Sequence, residues 1–160
     1  MKIGLLNSQF MNWEFFDCGL PELTRKLIQE ASLAEAGFQK LYGAFLDEAK
    51  TELAGVITVR AGQLQAPLED VARVAGRTGV TVPTLHIEVL AVRLAYQRQG
   101  VGEELVWYLL DIAHDIRQEI GLYTLSLEAT ENSVPFYQVL GFEASEVVYA
   151  DGTRAMWLVL

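Results

Sequence analysis

Residues 90 to 120 contain an apolar strand that breaks at a glycine-containing turn and continues as a long amphipathic helix. The turn, residues 97 to 102, predicts an anion site, because amides at a helix start lack partners within the helix and carry partial positive charge. Its two glycines let a phosphate approach the backbone closely. Apolar residues recur behind the turn at helical spacing, and they are Val101, Leu105, Leu109, Ile112, Ile116 and Ile120. The spacing predicts a phosphate-binding turn on a helix that packs against a sheet.

Two common nucleotide-binding loops do not fit this turn. The dinucleotide fingerprint requires a glycine or alanine three positions after the second glycine, and Leu105 stands there. The ATP-type loop requires Gly-Lys-Ser/Thr, whereas Gly102 is followed by Glu103 and Glu104. Both glutamates would repel a pyrophosphate, so we expect their carboxylates to point away from the turn.

The turn Gln97-Arg98-Gln99-Gly100-Val101-Gly102 resembles the acetyl-CoA turn of the GNAT acyltransferase superfamily, Gln/Arg-x-x-Gly-x-Gly/Ala, at every defining position. A later segment, from Asn132 to Phe142, resembles the family's Asn-x-x-Ala-x-x-Phe/Leu-Tyr-x-x-x-Gly-Phe. It departs only where Pro135 replaces alanine. With Asn132 as the predicted N-cap, Pro135 falls in the first helical turn, where proline is tolerated. The chain is therefore identified as a member of this superfamily.

The resemblance implies acetyl-CoA as the acetyl donor. The backbone at the end of the apolar strand would pair with the pantetheine amides as another strand would. The turn would hold the pyrophosphate, an arginine fork would contact the phosphates, and an asparagine would hydrogen-bond the cofactor unless it only caps a helix. The implied cofactor-binding residues are Leu90, Ala91, Val92, Gln97, Arg98, Gln99, Gly100, Val101, Gly102 and Asn132.

Two residues are expected to take part in acetyl transfer. By resemblance Tyr137 lies near the CoA sulfur, where a phenol can protonate the departing thiolate. The alternative is that it is an aromatic core residue like Phe136. Glu88 lies on the central strand, and alternation places it on the face of His86, so either side chain could take a proton from the amine through water. An amine that reacts from its neutral fraction would need no strong base.

The resemblance implies the GNAT fold, an α/β (α+β) architecture. We expect a mixed central sheet of about six to seven strands, flanked by helices and splayed at the acetyl-CoA site. Local patterns agree with this order of elements. They predict helices over 21–36, 68–75 and 101–120, strands over 38–46, 53–61, 85–92 and 124–128, and a final hairpin of 147–149 with 156–160. A length of 160 residues suits one domain over 1–160.

Charge and composition indicate which classes of partner and which cellular compartment to expect. Twenty-one acidic and twelve basic residues give a net charge of −9, which disfavours binding to phosphate backbones. Cys18 is the only cysteine, so neither an intramolecular disulfide nor a multi-cysteine zinc site is available. No apolar run is long enough to span a membrane, and the first residues turn polar too soon for a signal-peptide core. We expect a cytoplasmic protein without a metal or a membrane partner.

The segment from Phe16 to Leu23 resembles the Phe-Asp-Cys-Gly-x-x-x-Leu start of GNAT toxins of toxin–antitoxin operons, which acetylate charged tRNA. The chain departs from that subgroup at Thr24, at Lys26 and at Ile87-Glu88-Val89, where the subgroup has Leu-Gly-Arg. The last departure replaces a cation with an anion. We therefore expect a small-molecule or peptide amine as the acceptor. Aminoacyl-tRNA as acceptor and an acetyl-CoA-binding module without turnover stay open as alternatives, and so does a homodimer.

Overall fold

The computed structural model describes residues 1–6, 13, 16–49, 51–66, 68, 72, 75–76 and 80–160. The strands in this part of the chain are β1 (Lys2–Leu5), β2 (Lys40–Phe45), β3 (Leu53–Gln65), β4 (Thr81–Val92), β5 (Thr124–Thr130), β6 (Glu143–Ala144) and β7 (Thr153–Val159). The helices are α1 (Pro21–Glu35), α2 (Val101–Glu119) and α3 (Val134–Val139), and a short 3-10 turn, Leu94–Tyr96, precedes α2. The strands form a mixed sheet in the order β1-β2-β3-β4-β5-β7-β6.

This architecture confirms the predicted α/β class and the sheet of six to seven strands. The sequence prediction differs from the structure at the edges of the sheet. Both edge strands, β1 and β6, were missed, because four and two residues are too few to show strand alternation. The predicted strand over 147–149 is a loop, whose amides instead donate within a turn: Val147 N to Ser145 Oγ at 3.1 Å, and Tyr149 N to the Thr153 carbonyl at 2.7 Å. The short helix predicted over 68–75 falls largely outside the described residues.

The described chain divides into two compact units, Met1–Arg60 with Ile87–Asp111 and Ala61–His86 with Ile112–Leu160. The single domain expected from the length stays a prediction. No helix in the described part of the chain is long and apolar enough to cross a membrane.

In the first unit, β2 pairs antiparallel with both β1 and β3. Helix α1 begins with Pro21 in its first turn, a position that needs no amide donor. Its side chains Leu27 and Ala31, one turn apart, are buried in a core with residues from β2, β3 and β4. That core contains Phe16, Cys18, Leu41, Phe45, Leu53, Val56, Val89 and Ala91. Burying the apolar stripe of α1 therefore fixes the helix within this unit.

In the second unit, β5 pairs antiparallel with β7 along its whole length, from Thr124 opposite Val159 to Thr130 opposite Thr153. The short β6 pairs with the other side of β7. The hydroxyl of Thr84, on the first half of β4, lies 3.0 Å from the carbonyl oxygen of Thr124 and attaches β4 to β5. A core cluster of Leu64, Leu68, Val82 and Trp157 is also in this unit.

Candidate active site

The turn between β4 and α2 combines left-handed backbone with the start of a long helix. Arg98 has φ 58° and Gly100 has φ 83°. Glycine adopts this conformation freely, whereas a residue with a side chain loses about 1–2 kcal/mol there. The Glu104 amide donates to the Gly100 carbonyl at 3.0 Å. The amides of residues 101–103 precede this bond and have no acceptor in the helix. The turn thus offers several amide donors and the positive end of the helix dipole to an anion.

The glutamates at the start of α2 leave this site open. The Glu103 carboxylate accepts a hydrogen bond from the Trp107 indole at 3.2 Å, so it points along the helix and away from the turn. Glu104 is exposed. The expected outward direction of Glu103 is confirmed.

The side chains of the turn differ in what they do. The Gln97 amide nitrogen donates to two carbonyl oxygens, that of Cys18 at 2.9 Å and that of Val92 at 3.0 Å. The Gln99 amide nitrogen donates to the Ala95 carbonyl at 2.9 Å. Both glutamine side chains therefore hold the turn in place. The guanidinium of Arg98 is exposed, and no residue in the described ranges forms an ion pair or hydrogen bond with it.

A segment distant in sequence packs against this turn. The Leu94 amide donates to the Asp17 carbonyl at 3.0 Å, and the Asp17 carboxylate accepts from the Gly19 amide at 2.8 Å. The side chains of Phe16 and Cys18 are buried in the core of the first unit. Sequence reasoning missed this contact because no local pattern reports a partner 79 positions away. The Phe16–Leu23 motif marked this segment in the sequence but not its partner, and the positive φ of Gly19 became visible only in the structure.

The strand before the turn contains the predicted pantetheine edge. Ala91 is buried, while Leu90 and Val92 are partly exposed, as alternation along β4 requires. The Val89 amide donates to the hydroxyl of the buried Thr58 on β3 at 3.0 Å. The splay of this strand at the cofactor stays a prediction.

Glu88 lies on the partly exposed face of β4, which it shares with His86 as predicted. Its carboxylate is 2.5 Å from Arg60 Nε and 3.8 Å from Lys26 Nζ. Lys26 also donates to the main-chain carbonyl of Glu88 at 2.9 Å. Two cations therefore hold this carboxylate in place. His86 Nδ1 is 3.0 Å from the hydroxyl of Ser126 in the second unit.

Tyr137 lies on α3 and is 7% exposed. Its ring packs edge-on against Phe136 and Phe142, with centroids 4.9 and 5.6 Å away. Burial raises the pKa of the Tyr137 phenol well above its ordinary value, so the hydroxyl keeps its proton at neutral pH. The ring is thus part of an aromatic cluster. The role of the phenol as the acid in acetyl transfer stays a prediction.

The predicted N-cap of α3 is wrong. Ser133, not Asn132, precedes the helix, and its hydroxyl donates to the Thr130 carbonyl at 3.0 Å. Pro135 lies in the first turn, as predicted. The Asn132 side chain is exposed one position earlier, so capping does not account for it.

The structure groups the predicted site residues by unit. Glu88, the strand edge and the turn from Gln97 to Gly102 lie together in the first unit, whereas Asn132 and Tyr137 lie in the second.

A glycine turn that joins a central strand of a mixed sheet to the start of a long helix suits a ligand that carries a phosphate group. Residues 19–156 match the family model described as an acetyltransferase (GNAT) domain, and the chain belongs to this family. The match confirms the predicted acetyltransferase domain.

A curated relative is glucosamine 6-phosphate N-acetyltransferase of Trypanosoma brucei brucei. It is 38% identical over 61 residues, which are 38% of this chain and 39% of that protein. The match therefore spans well under two thirds of the relative's length.

Solved structures of toxins resemble nearly the whole chain. AtaT complexed with acetyl-methionyl-tRNAfMet has a TM-score of 0.80 and 20% identity, covering 99% of this chain and 94% of that one. A mutant of KacT has a TM-score of 0.82 and 20% identity, with the same coverage. A structure described as a bacterial toxin has a TM-score of 0.80 and 22% identity, covering 99% and 90%. These similarities confirm the predicted GNAT fold.

Proposed function

We propose that this protein is an N-acetyltransferase that moves the acetyl group of acetyl-CoA to a primary amine of a small molecule or peptide. The observation that carries the proposal is the turn before α2, where left-handed Arg98 and Gly100 precede the unpaired amides of a 19-residue helix. Such a turn suits a pyrophosphate. Membership of the acetyltransferase (GNAT) domain family supports the same donor.

In this proposal the residues of the turn and the strand bind the cofactor. The amides of Val101 and Gly102 bind the pyrophosphate, and the Arg98 guanidinium adds a charge-assisted contact to a phosphate. The backbone from Leu90 to Val92 pairs with the pantetheine amides. Gln97 and Gln99 keep the turn in shape, and Asn132 hydrogen-bonds the cofactor.

The proposed reaction replaces the C–S bond of the thioester with a C–N bond to the amine, and two proton transfers accompany this exchange. The neutral amine nitrogen attacks the thioester carbonyl, the C–N bond forms, and the C–S bond breaks. Tyr137 donates its proton to the departing CoA thiolate. A buried phenol is a weaker acid than a free one, but apolar surroundings also disfavour the thiolate and raise its affinity for a proton. The amine proton leaves through water toward Glu88.

A small acceptor agrees with the charge of the chain and with its curated relative. The net charge of −9 disfavours a polyanion and favours a cationic amine. The name of the curated relative describes an acetyltransferase of an amino sugar phosphate, so amino sugars come first among the small amines to be tested.

Aminoacyl-tRNA is the second candidate acceptor, with an antitoxin as the implied partner. The toxin-like segment from Phe16 to Gly19 favours it, as do similar structures of toxins with acetyl-methionyl-tRNAfMet or an antitoxin. However, the contacts of this segment with Leu94 and Gln97 support the cofactor turn whichever acceptor is used. The segment therefore does not by itself select tRNA.

One experiment distinguishes three functions: acetylation of a small amine, acetylation of aminoacyl-tRNA, and binding of acetyl-CoA without turnover. The purified chain is incubated with isotope-labelled acetyl-CoA and either a panel of amines that includes amino sugars and peptides or a pool of aminoacyl-tRNA. CoA release is followed, and the products are identified by mass spectrometry. Label on small amines supports the proposal, and label only on aminoacyl-tRNA supports the second candidate. Binding of acetyl-CoA without CoA release on either panel would overturn both in favour of a binding module.

A further inference from the structure

In the first unit, the side chain of Gln97 contacts the segment that precedes α1. The Gln97 side-chain amide donates two hydrogen bonds to carbonyl oxygens, one to Val92 at the end of β4 and one to Cys18. The Leu94 amide adds a main-chain bond to Asp17. Two hydrogen bonds therefore join the cofactor turn to the distant residues Asp17 and Cys18, and a third joins Gln97 to the end of β4.

Close packing accompanies these hydrogen bonds. Gly19 has φ 82°, and a Cβ built on it would lie 2.9 Å from Leu94 Cδ2. A side chain at this position would thus require both an unfavourable backbone conformation and a shift of Leu94. The Asp17 carboxylate holds the Gly19 amide and keeps this segment in its tight bend.

We propose that Gln97 is a positioning residue that couples the cofactor turn to the start of α1; this inference rests on the proposed function. Arg98 follows Gln97 directly and adopts a strained left-handed conformation, which persists only where neighbouring contacts determine it. The two side-chain bonds of Gln97 supply those contacts. Without them the turn relaxes, and its amides no longer converge on a phosphate.

The coupling has a second consequence, because α1 begins at Pro21, two residues after Gly19. Lys26, in the second turn of α1, contacts both the carboxylate and the main-chain carbonyl of Glu88. Ordering of the turn by acetyl-CoA therefore also orders the first half of α1 against the strand that carries Glu88. Bound cofactor should protect the amides of residues 23–28 from hydrogen exchange.

The test compares Gln97→Leu and Gln97→Glu with a matched control, Gln39→Leu. The Gln39 side chain is buried and also donates two hydrogen bonds, both to Glu30 at 2.7 Å, far along α1 from the turn. By calorimetry we expect acetyl-CoA to bind both Gln97 variants about tenfold more weakly than the unaltered protein. Gln97→Glu keeps the size of the side chain but has no hydrogen to donate. We expect Gln39→Leu to lower the melting temperature and to leave acetyl-CoA affinity unchanged.

Hydrogen exchange measures whether acetyl-CoA protects α1. A general loss of stability would not remove that protection selectively in the Gln97 variants. Acetyl-CoA should protect residues 23–28 in the unaltered protein and in Gln39→Leu, but not in Gln97→Leu. Equal affinity in Gln97→Leu and the unaltered protein, or retained protection in that variant, would overturn the inference. If the unaltered protein does not bind acetyl-CoA, the proposed function fails first.

A pair of glycine variants keeps the inference testable if the Gln97 variants do not fold. Gly19 and Gly37 have nearly the same φ, 82° and 84°, but among the described residues no atom lies within 4 Å of a Cβ built on Gly37. Gly19→Ala and Gly37→Ala therefore share the backbone strain, and only the first displaces Leu94. We expect weaker acetyl-CoA binding in Gly19→Ala alone. Equal affinities in the two variants would refute the coupling.

Discussion

Arg98 and Gly100 share a left-handed backbone on either side of Gln99, although only one of them is a glycine. Left-handed residues in a turn aim successive amides into one concavity, which is a common form of anion site. A left-handed residue with a side chain costs about 1–2 kcal/mol, so the turn forms this concavity with backbone strain at Arg98. The contacts of Gln97 stabilise this arrangement.

Replacement of Gly100 by glutamate should abolish acetyl-CoA binding. In the described part of the chain no atom lies within 4 Å of a Cβ built on Gly100, so loss of binding would come from backbone strain and from the charge placed in the path of the phosphates. We expect affinity to fall by about 100-fold or more in calorimetry. Gly37→Glu is the matched control, because Gly37 has a similar φ and equally open surroundings. If folded Gly100→Glu binds acetyl-CoA with unchanged affinity, the cofactor does not bind at this turn.

Removal of the Tyr137 hydroxyl should slow turnover by roughly 100-fold and leave acetyl-CoA affinity nearly unchanged. The ring stays in place in Tyr137→Phe, because its packing against Phe136 and Phe142 does not use the hydroxyl. Tyr149→Phe serves as control, since Tyr149 lies 44% exposed in the loop before β7. The measurement is CoA release with an acceptor that the unaltered protein acetylates. Equal turnover in Tyr137→Phe and the control would exclude the proposed acid.

Alkaline pH should destabilise the unaltered protein more than Tyr137→Phe. Burial raises the folded-state pKa of Tyr137 above the value near 10 that an unfolded tyrosine has. The folded state then holds this proton more tightly, and the resulting stability is complete below pH 10 and is lost as the pH rises further. Urea unfolding at pH 8, 10 and 11 measures the effect. If the difference in unfolding free energy between the two proteins stays constant with pH, the pKa of the Tyr137 phenol is not raised in the folded state.

Glu88→Gln should distinguish a cationic small acceptor from tRNA by the direction of its effect. The change leaves Arg60 and Lys26 without their shared carboxylate and makes the local charge more positive. The KM of a cationic amine should rise about threefold, whereas the KM of aminoacyl-tRNA should fall by a similar factor. Glu48→Gln is the control, because it removes an equal charge from the exposed pair with Lys2. A lower KM for tRNA in Glu88→Gln alone would support the second candidate.

Local patterns predicted the elements around the cofactor turn closely. The predicted helix from 101 to 120 is Val101–Glu119, and the predicted helix from 21 to 36 is Pro21–Glu35. Both have long apolar stripes that only helical spacing explains. Short edge elements are less predictable: the patterns miss β1 and β6, and they predict a strand over 147–149, where the structure has a loop. In such segments a few turn hydrogen bonds, not apolar alternation, determine the backbone.

The sequence by itself determined the family and the order of the main elements, because those properties lie in contiguous residues with fixed spacing. The positions that it assigns to the cofactor stay predictions. Only the tertiary structure decided what the side chains of those positions touch. Gln97 bonds to Cys18, and Glu88 faces Lys26 and Arg60. Tyr137 is buried deeply enough to raise its pKa. These features depend on contacts between residues far apart in the chain, which packing of the whole core brings together and no local pattern encodes.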